Sequence, residues 1–421
     1  MDLTILPTKL HGAITPPPSK SQAHRLLIAA ALSSSGTSVL SHLPDSQDIQ
    51  ATRRCLSAMG AWIDDVGENT VQVNFGLGTA IVEAGPAPIL DCGESGSTLR
   101  FLIPAALLVH GKASFTGHGR LMERPLKPYE DLFREKGIAW EQAGGVLNLD
   151  SGRGYDRLAL DPGEYRLPGN VSSQFFTGLL FVLPLLDGDS TLVPTTPLES
   201  RDYLEMTRQV QELAGVHSQW QGDVLHIPGG QRYHAFQARV EADWSQAAFY
   251  YTAIGLGNEI DIQGMDPFST QGDMRIVPYF LRLTQPGHLA LDVRQCPDLV
   301  PPLAAHAALR AGEITEITNA ARLRIKESDR LSAVTAALNA MGAEVEERPD
   351  SLVIRGKETL RGRCTVDCRN DHRIAMMAAM AATCCREPVT LLGAECVQKS
   401  YPAFWADYRR LGGIIHEHTG Q

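Results

Sequence analysis

The chain has 421 residues, is 43% hydrophobic, and sets 38 Lys and Arg against 48 Asp and Glu, a formal net charge of −10. That length exceeds what one core usually serves and points to two domains of an ordinary globular protein. The acidic balance excludes a protein that grips nucleic acid through a broad basic face, and makes any local cationic cluster conspicuous.

Three prolines, Pro16 to Pro18, stop the chain before SKSQAHRLLIAAAL, the first of six segments in which a short polar cluster opens a helix-length run that is apolar on nearly every face. Ser21 is the expected N-cap. Lys20 and Arg25 stand within a turn of the helix start, where cations oppose the dipole and cost stability unless an anion answers them. Lys followed by Ser suggests a phosphate loop, but the glycines of that motif are missing. Next comes AMGAWIDD, in which Gly60 follows a helix and precedes an alternating strand, as a left-handed C-cap requires.

The two kinds of segment then alternate along the chain. Apolar runs open at ESGSTLR (94), SSQFF (172), DWSQ (243), PDLVPP (297) and DHRIAMM (371), and glycine stops recur at Gly137, Gly215, Gly342 and Gly413, more weakly at Gly287. A spacing on the order of 70 residues marks an internal repeat. A helix apolar all round belongs inside a core. The glycine-ended helices carry only a stripe, such as Leu331, Val334, Leu338 and Met341, and cover the outside. Three copies precede PGGQRYHAF at 228–236 and three follow it, which makes this stretch the expected crossing between two similar domains. Unpaired N–H groups and the dipole make helix N-termini anion sites. Six parallel inner helices would aim three positive ends from each domain at a shared cleft suited to anionic ligands.

Charge gathers at these entrances. GRLMERPLKP supplies Arg120 and Arg124, and SSQ supplies Ser172, Ser173 and Gln174. Asp298 precedes a proline-interrupted helix, where alone it reads as an N-cap. ARLRIKESDRLSA carries Arg322, Arg324, Lys326 and Arg330 around Glu327 and Asp329, with Ser328 placed to cap the next helix. DHR adds His372 and Arg373, and VQKSYP adds Lys399. Any one of these is by default a solvated charge run; their recurrence at helix entrances favours a binding site. The eight cysteines form no CxxC pair, only Cys384 and Cys385 being adjacent, as expected of a reduced, cytoplasmic protein without structural disulfides. MDLTILPTKL has no basic leader with a long apolar run, and FFTGLLFVLPLL at 175–186 is about half a membrane span, so neither secretion nor a membrane partner is expected.

In this order, PSKSQAHR, ESGSTLR, RLMERP, VSSQF, QGD at 271–273, RIKESDR, NDHR and QKSYP resemble the 5-enolpyruvylshikimate-3-phosphate synthase family over essentially the whole chain. The resemblance implies an α/β fold of the inside-out barrel type: two domains of three βαβαββ units each, with buried parallel helices. It assigns residues 1–18 with 233–421 to one domain and 19–232 to the other, with the active site in the cleft between them. It implies transfer of the enolpyruvyl group of phosphoenolpyruvate to the 5-hydroxyl of shikimate 3-phosphate, releasing phosphate through a tetrahedral intermediate, in aromatic amino-acid biosynthesis.

By motif position, the resemblance gives shikimate 3-phosphate to Lys20, Ser21, Arg25, Ser172, Ser173, Gln174, Ser200, Tyr203, Asp298, Arg322 and Lys326. It gives phosphoenolpyruvate to Lys20, Gly96, Arg124, Gln174, Glu327, Arg330, Arg373 and Lys399. Asp298 is the implied proton acceptor at the hydroxyl, Glu327 the implied donor at the methylene carbon, and Lys20 a further catalytic group. No cofactor or metal is expected, and the implied protein is a monomer that closes on its substrates and is the target of glyphosate. Glu94, Arg322 and Phe101 depart from the family's commonest residues (asparagine, asparagine and proline), and Glu94 bears on herbicide affinity. The alternative with the same fold is UDP-N-acetylglucosamine enolpyruvyl transferase, whose catalytic loop carries a cysteine and whose first motif reads Lys-Asn; GKASFTGHGRLMERP has no cysteine. A non-catalytic anion-binding protein would lack the acid and base, and both Asp298 and Glu327 are present.

Overall fold

The computed structural model describes residues 1–74, 87–153 and 158–418. The chain forms two compact units, a continuous one of residues 18–241 and a discontinuous one of 1–17 with 242–421. The continuous unit holds α1 (Lys20–Ala31), α2 (Gln47–Ala58), α3 (Gly96–His110), α4 (Lys127–Glu135), α5 (Ser173–Val182) and α6 (Arg201–Leu213). The discontinuous unit holds α7 (Trp244–Gly255), α8 (Ile276–Leu283), α9 (Val300–Ala307), α10 (Arg330–Ala340), α11 (His372–Ala382) and α12 (Phe404–Arg410).

Inner and outer helices alternate as the apolar pattern requires. All eleven residues of α11 and thirteen of the fifteen in α3 are buried, whereas α4 buries only Pro128, Tyr129, Leu132 and Phe133. Each unit has one contiguous apolar core around its inner helices. A fully buried Leu such as Leu102 contributes about 1.5–3 kcal/mol. Gly178 of α5 permits closer approach than any side chain allows: a Cβ there would lie 2.3 Å from the Tyr129 hydroxyl and 2.5 Å from the Arg100 carbonyl oxygen.

One sheet motif recurs. A strand pairs parallel with the strand that follows an inner helix, and an antiparallel hairpin extends the sheet; Ile89–Asp91, Lys112–Thr116, Val146–Asp150 and Ala139–Ala143 lie in that order. Among the described residues this arrangement occurs four times, and in a fifth sheet Asp2–Ile5 and Ile415–His418, from opposite ends of the chain, take the place of the hairpin. The unit built on α7 and α8 keeps only a parallel pair, Glu259–Ile262 with His11–Ile14. The strand after Gly287, Leu289–Asp292, opens the next sheet by pairing parallel with Ile314–Thr318, so the weakest glycine stop marks a unit without its hairpin.

The chain changes unit after Pro17 and again after Glu241. Gln237–Arg239 pairs parallel with Val39–Ser41, so residues 233–241, expected with the discontinuous domain, belong to the continuous one. Asp2–Ile5 lies between Val389–Leu392 and Ile415–His418 and completes the last sheet. Two expected caps also move. Ser19, not Ser21, caps α1 by accepting from Gln22 N, and Asp329, not Ser328, caps α10 by accepting from Ser332 N.

Candidate active site

In the continuous unit, the polar entrances of α1, α3 and α5 carry the candidate residues. Lys20, first residue of α1, pairs with Asp48 Oδ2 at 2.7 Å, the two side chains 15% and 13% exposed. Arg25 is buried one turn further on: Nε donates to Thr207 Oγ1 at 2.8 Å, and the terminal nitrogens donate to the carbonyl oxygens of Ser21 at 2.7 Å and Tyr203 at 3.0 Å. Burial lowers its pKa to about 10, with Tyr203 opposing. The guanidinium lies 5.1 Å from the Phe101 ring centroid, a cation–π contact that gives this departure from the family pattern a physical role. Ser200, just before α6, is 2% exposed and sits in the left-handed region at φ +57°. Strain of that kind in a non-glycine residue clusters at functional sites.

The entrance of α3 faces the next set. A Cβ on Gly96 would lie 2.6 Å from Arg124 NH1 and 2.8 Å from Arg100 NH1, so only glycine leaves this space. Arg100 NH1 donates to Gln174 Oε1 at 3.0 Å, and Gln174 Nε2 donates to Ser97 Oγ at 2.9 Å. Ser172 caps α5 by accepting from Gln174 N at 3.3 Å, and Ser173 opens that helix. Gly96, Arg124 and Gln174 thus meet around Arg100. Glu94 is close by, its Oε2 lying 2.7 Å from where a Cβ on Gly119 would be.

In the discontinuous unit, the candidates converge on one guanidinium. Arg330 opens α10 with its side chain 1% exposed; NH1 reaches Asp298 Oδ1 at 2.9 Å, NH2 reaches Glu327 Oε2 at 2.5 Å, and Nε reaches Asp371 Oδ2 at 2.9 Å. Asp371 caps α11, accepting from Arg373 N at 3.0 Å and from Ser328 Oγ at 2.9 Å. Asp298 is no cap. Its carboxylate takes Arg373 at 3.1 Å and Lys326 at 3.4 Å besides Arg330. Burial pushes the Asp298 pKa up, but Arg373, Lys326 and Arg330 together outweigh it and hold the carboxyl well below its ordinary range. Burial in turn lowers Lys326, with Asp298 opposing. For Arg330 burial again opposes the charged form, yet Asp371, Glu327 and Asp298 raise its pKa.

Lys399 donates to the Asn370 carbonyl oxygen at 2.7 Å, beside Asp371. Arg322 donates to the Arg294 carbonyl oxygen at 2.6 Å, and its charge helps to lower Lys326. Sequence reasoning missed three participants. Arg100 and Asp371 stood in quoted motifs and carried a signal, a cation inside an apolar helix and an acid at a helix start. Asp48, in the first turn of α2, had none beyond its charge.

The chain is similar to known proteins along its whole length. The family described as EPSP synthase (3-phosphoshikimate 1-carboxyvinyltransferase) matches residues 6–285 and 282–408. A 3-phosphoshikimate 1-carboxyvinyltransferase of Clostridium kluyveri is 45% identical over 435 residues, covering 99% of this chain and 98% of its own. Another, from Clostridium beijerinckii, is 42% identical over 437 residues, covering 99% and 98%. The fold matches a solved EPSP synthase from Acinetobacter baumannii with a TM-score of 0.79 at 23% identity, covering 99% of this chain and 100% of that one. With that family matching nearly the whole chain and relatives similar from end to end, the chain belongs to the EPSP synthase (3-phosphoshikimate 1-carboxyvinyltransferase) family.

Proposed function

We infer that this protein transfers the enolpyruvyl group of phosphoenolpyruvate to the 5-hydroxyl of shikimate 3-phosphate, giving 5-enolpyruvylshikimate 3-phosphate and phosphate. The observation that carries the reading is the Arg330 hub, which bonds both proposed proton carriers, Asp298 and Glu327, with Lys326 and Arg373 on the same Asp298 carboxylate. Each substrate brings a phosphate and a carboxylate, the anions that arginine and lysine clusters recognise.

In the reading, Lys326 and Arg322 take shikimate 3-phosphate, and Arg330, Arg373 and Lys399 take phosphoenolpyruvate. Lys20, Ser21, Arg25, Ser172, Ser173, Gln174, Ser200 and Tyr203 complete the acceptor's contacts, while Lys20, Gly96, Arg124 and Gln174 complete those of phosphoenolpyruvate. The two sets act together when the units close on the anions, since like charges repel until a ligand lies between them. The 5-hydroxyl gives its proton to Asp298 as its oxygen bonds to C2 of phosphoenolpyruvate, and Glu327 delivers a proton to the methylene carbon. In the second step a methyl proton returns to Glu327, the C2–O bond to phosphate breaks, and the vinyl group forms. Binding also retunes the base. As the substrates' anions engage Lys326 and Arg373, these cations hold Asp298 less tightly and its proton affinity rises toward a useful value. Fixed positive charge around the departing phosphate supplies the larger share of the rate.

All eight thiols are free, which supports a reducing compartment such as the cytoplasm. A phosphate-release assay with purified protein tests the reading: release is expected with phosphoenolpyruvate plus shikimate 3-phosphate. Release with UDP-N-acetylglucosamine in place of shikimate 3-phosphate would contradict it.

A further inference from the structure

A buried chain of hydrogen bonds ties α1, α2 and α3 together beside Lys20. His24 Nδ1 lies 2.7 Å from Thr52 Oγ1, Thr52 Oγ1 lies 2.7 Å from Thr98 Oγ1, and Thr98 donates over 2.7 Å to Ser95 Oγ. All four residues are 0% exposed. Ser95 is the N-cap of α3, immediately before Gly96. The Thr98 hydroxyl also lies 3.4 Å from the Asp48 carbonyl oxygen, and the Asp48 carboxylate holds Lys20. Because Lys20 and His24 are one turn apart on α1, neighbours on the helix surface, the circuit closes on itself.

Counting hydroxyl protons fixes its direction. Each threonine hydroxyl has one proton to donate. Thr98 directs its one proton to Ser95 and, over the longer distance, the Asp48 carbonyl oxygen, so Thr52 must donate to Thr98, and His24 must donate to Thr52. The imidazole is therefore the neutral Nδ1–H form, and its buried Nε2 has no hydrogen-bond partner. Leaving such a nitrogen buried without a partner costs stability, a cost that an apolar residue filling the same space would avoid. Burial, reinforced by Lys20 and Arg25, keeps the ring from protonating.

We propose that His24 is a positioning residue of the active site, acting through Thr52 and Thr98 to fix Lys20, Asp48 and Gly96 relative to one another before substrate arrives. The role rests on the enolpyruvyl-transfer reading, in which Lys20 and Gly96 meet phosphoenolpyruvate. Errors of about 1 Å in such placement cost up to about 100-fold in rate.

The test uses the full chain with three substitutions, His24→Leu, His24→Asn and Thr52→Val. Asparagine can place an N–H near the Nδ1 position, and valine keeps the shape of threonine without its hydroxyl. Folded H24L and T52V are expected to raise the KM for phosphoenolpyruvate about tenfold, the double variant adding little, with H24N within threefold of wild type. Mere loss of folded protein would lower kcat and leave KM unchanged. The proposal is overturned if folded H24L or T52V keeps the wild-type KM, or if H24N behaves like H24L. Nitrogen NMR of 15N-histidine-labelled protein gives a readout that does not need activity: an Nδ1–H signal from His24 that shifts in T52V supports the donor chain, and an Nε2–H form overturns it. A wild-type protein inactive with both substrates would instead sink the functional reading, leaving the NMR result to decide the chain.

Discussion

Arg330 and Asp371 form a fully buried ion pair, Nε to Oδ2 at 2.9 Å, with side chains 1% and 0% exposed. The pair joins the start of α10 to the start of α11 and orients the guanidinium, so that its remaining nitrogens reach Asp298 and Glu327. Breaking such a pair by removing one partner leaves a buried charge uncompensated, at about 3–5 kcal/mol. In Asp371→Ala the guanidinium keeps Asp298 and Glu327 but α11 loses its cap, so urea unfolding should report a loss near the lower end of that range. A loss under about 1 kcal/mol would mean that Arg330 relaxes to water.

Asp298 makes stability depend on acid. Its folded-state pKa lies below that of the unfolded chain, so its stabilisation is fully present above about pH 4 and drains away as pH falls toward the folded value. Wild type should therefore lose stability more steeply than Asp298→Asn between about pH 5 and pH 2.5. Parallel urea-midpoint curves for the two proteins would show that the carboxylate is not held as described. The same variant should have lost nearly all turnover.

Gly96 is the tightest point of the continuous unit's site. The Cβ in Gly96→Ala would push on Arg124 and Arg100, whose ends are flexible. The cost falls at the low end for overpacking, about 1 kcal/mol or roughly a fivefold change. The expected readout is a KM for phosphoenolpyruvate raised by that factor, with thermal stability nearly unchanged. An unaltered KM would remove Gly96 from the substrate's surroundings.

Much of this architecture was legible because its signals are local. Apolar runs such as IAMMAAMAA can only be buried, and a glycine such as Gly342, at φ +102°, favours a helix stop. The placement of residues 233–241 was not legible: Gln237–Arg239 is three residues long, and the sheet it joins is chosen by tertiary contacts rather than by its own pattern. The missing hairpin after α8 left only the weakness of the Gly287 stop as a trace. At the first helix either Ser19 or Ser21 offers an oxygen of the right kind, and backbone geometry alone chooses Ser19. For the site, the cations and the acid and base stood out because charge at the end of an apolar helix is costly. Which carboxylate each cation meets depends on loops that bring Asp48 to Lys20 and Asp371 to Arg330.

The central claim is that a proton is added to the methylene carbon of phosphoenolpyruvate and then removed again. The direct measurement is proton NMR of the reaction with shikimate 3-phosphate in deuterium oxide. The account predicts consumption of shikimate 3-phosphate and a product whose vinyl group carries deuterium, both lost in Glu327→Gln. Unconsumed shikimate 3-phosphate, or a product whose vinyl protons remain undiluted, would contradict it.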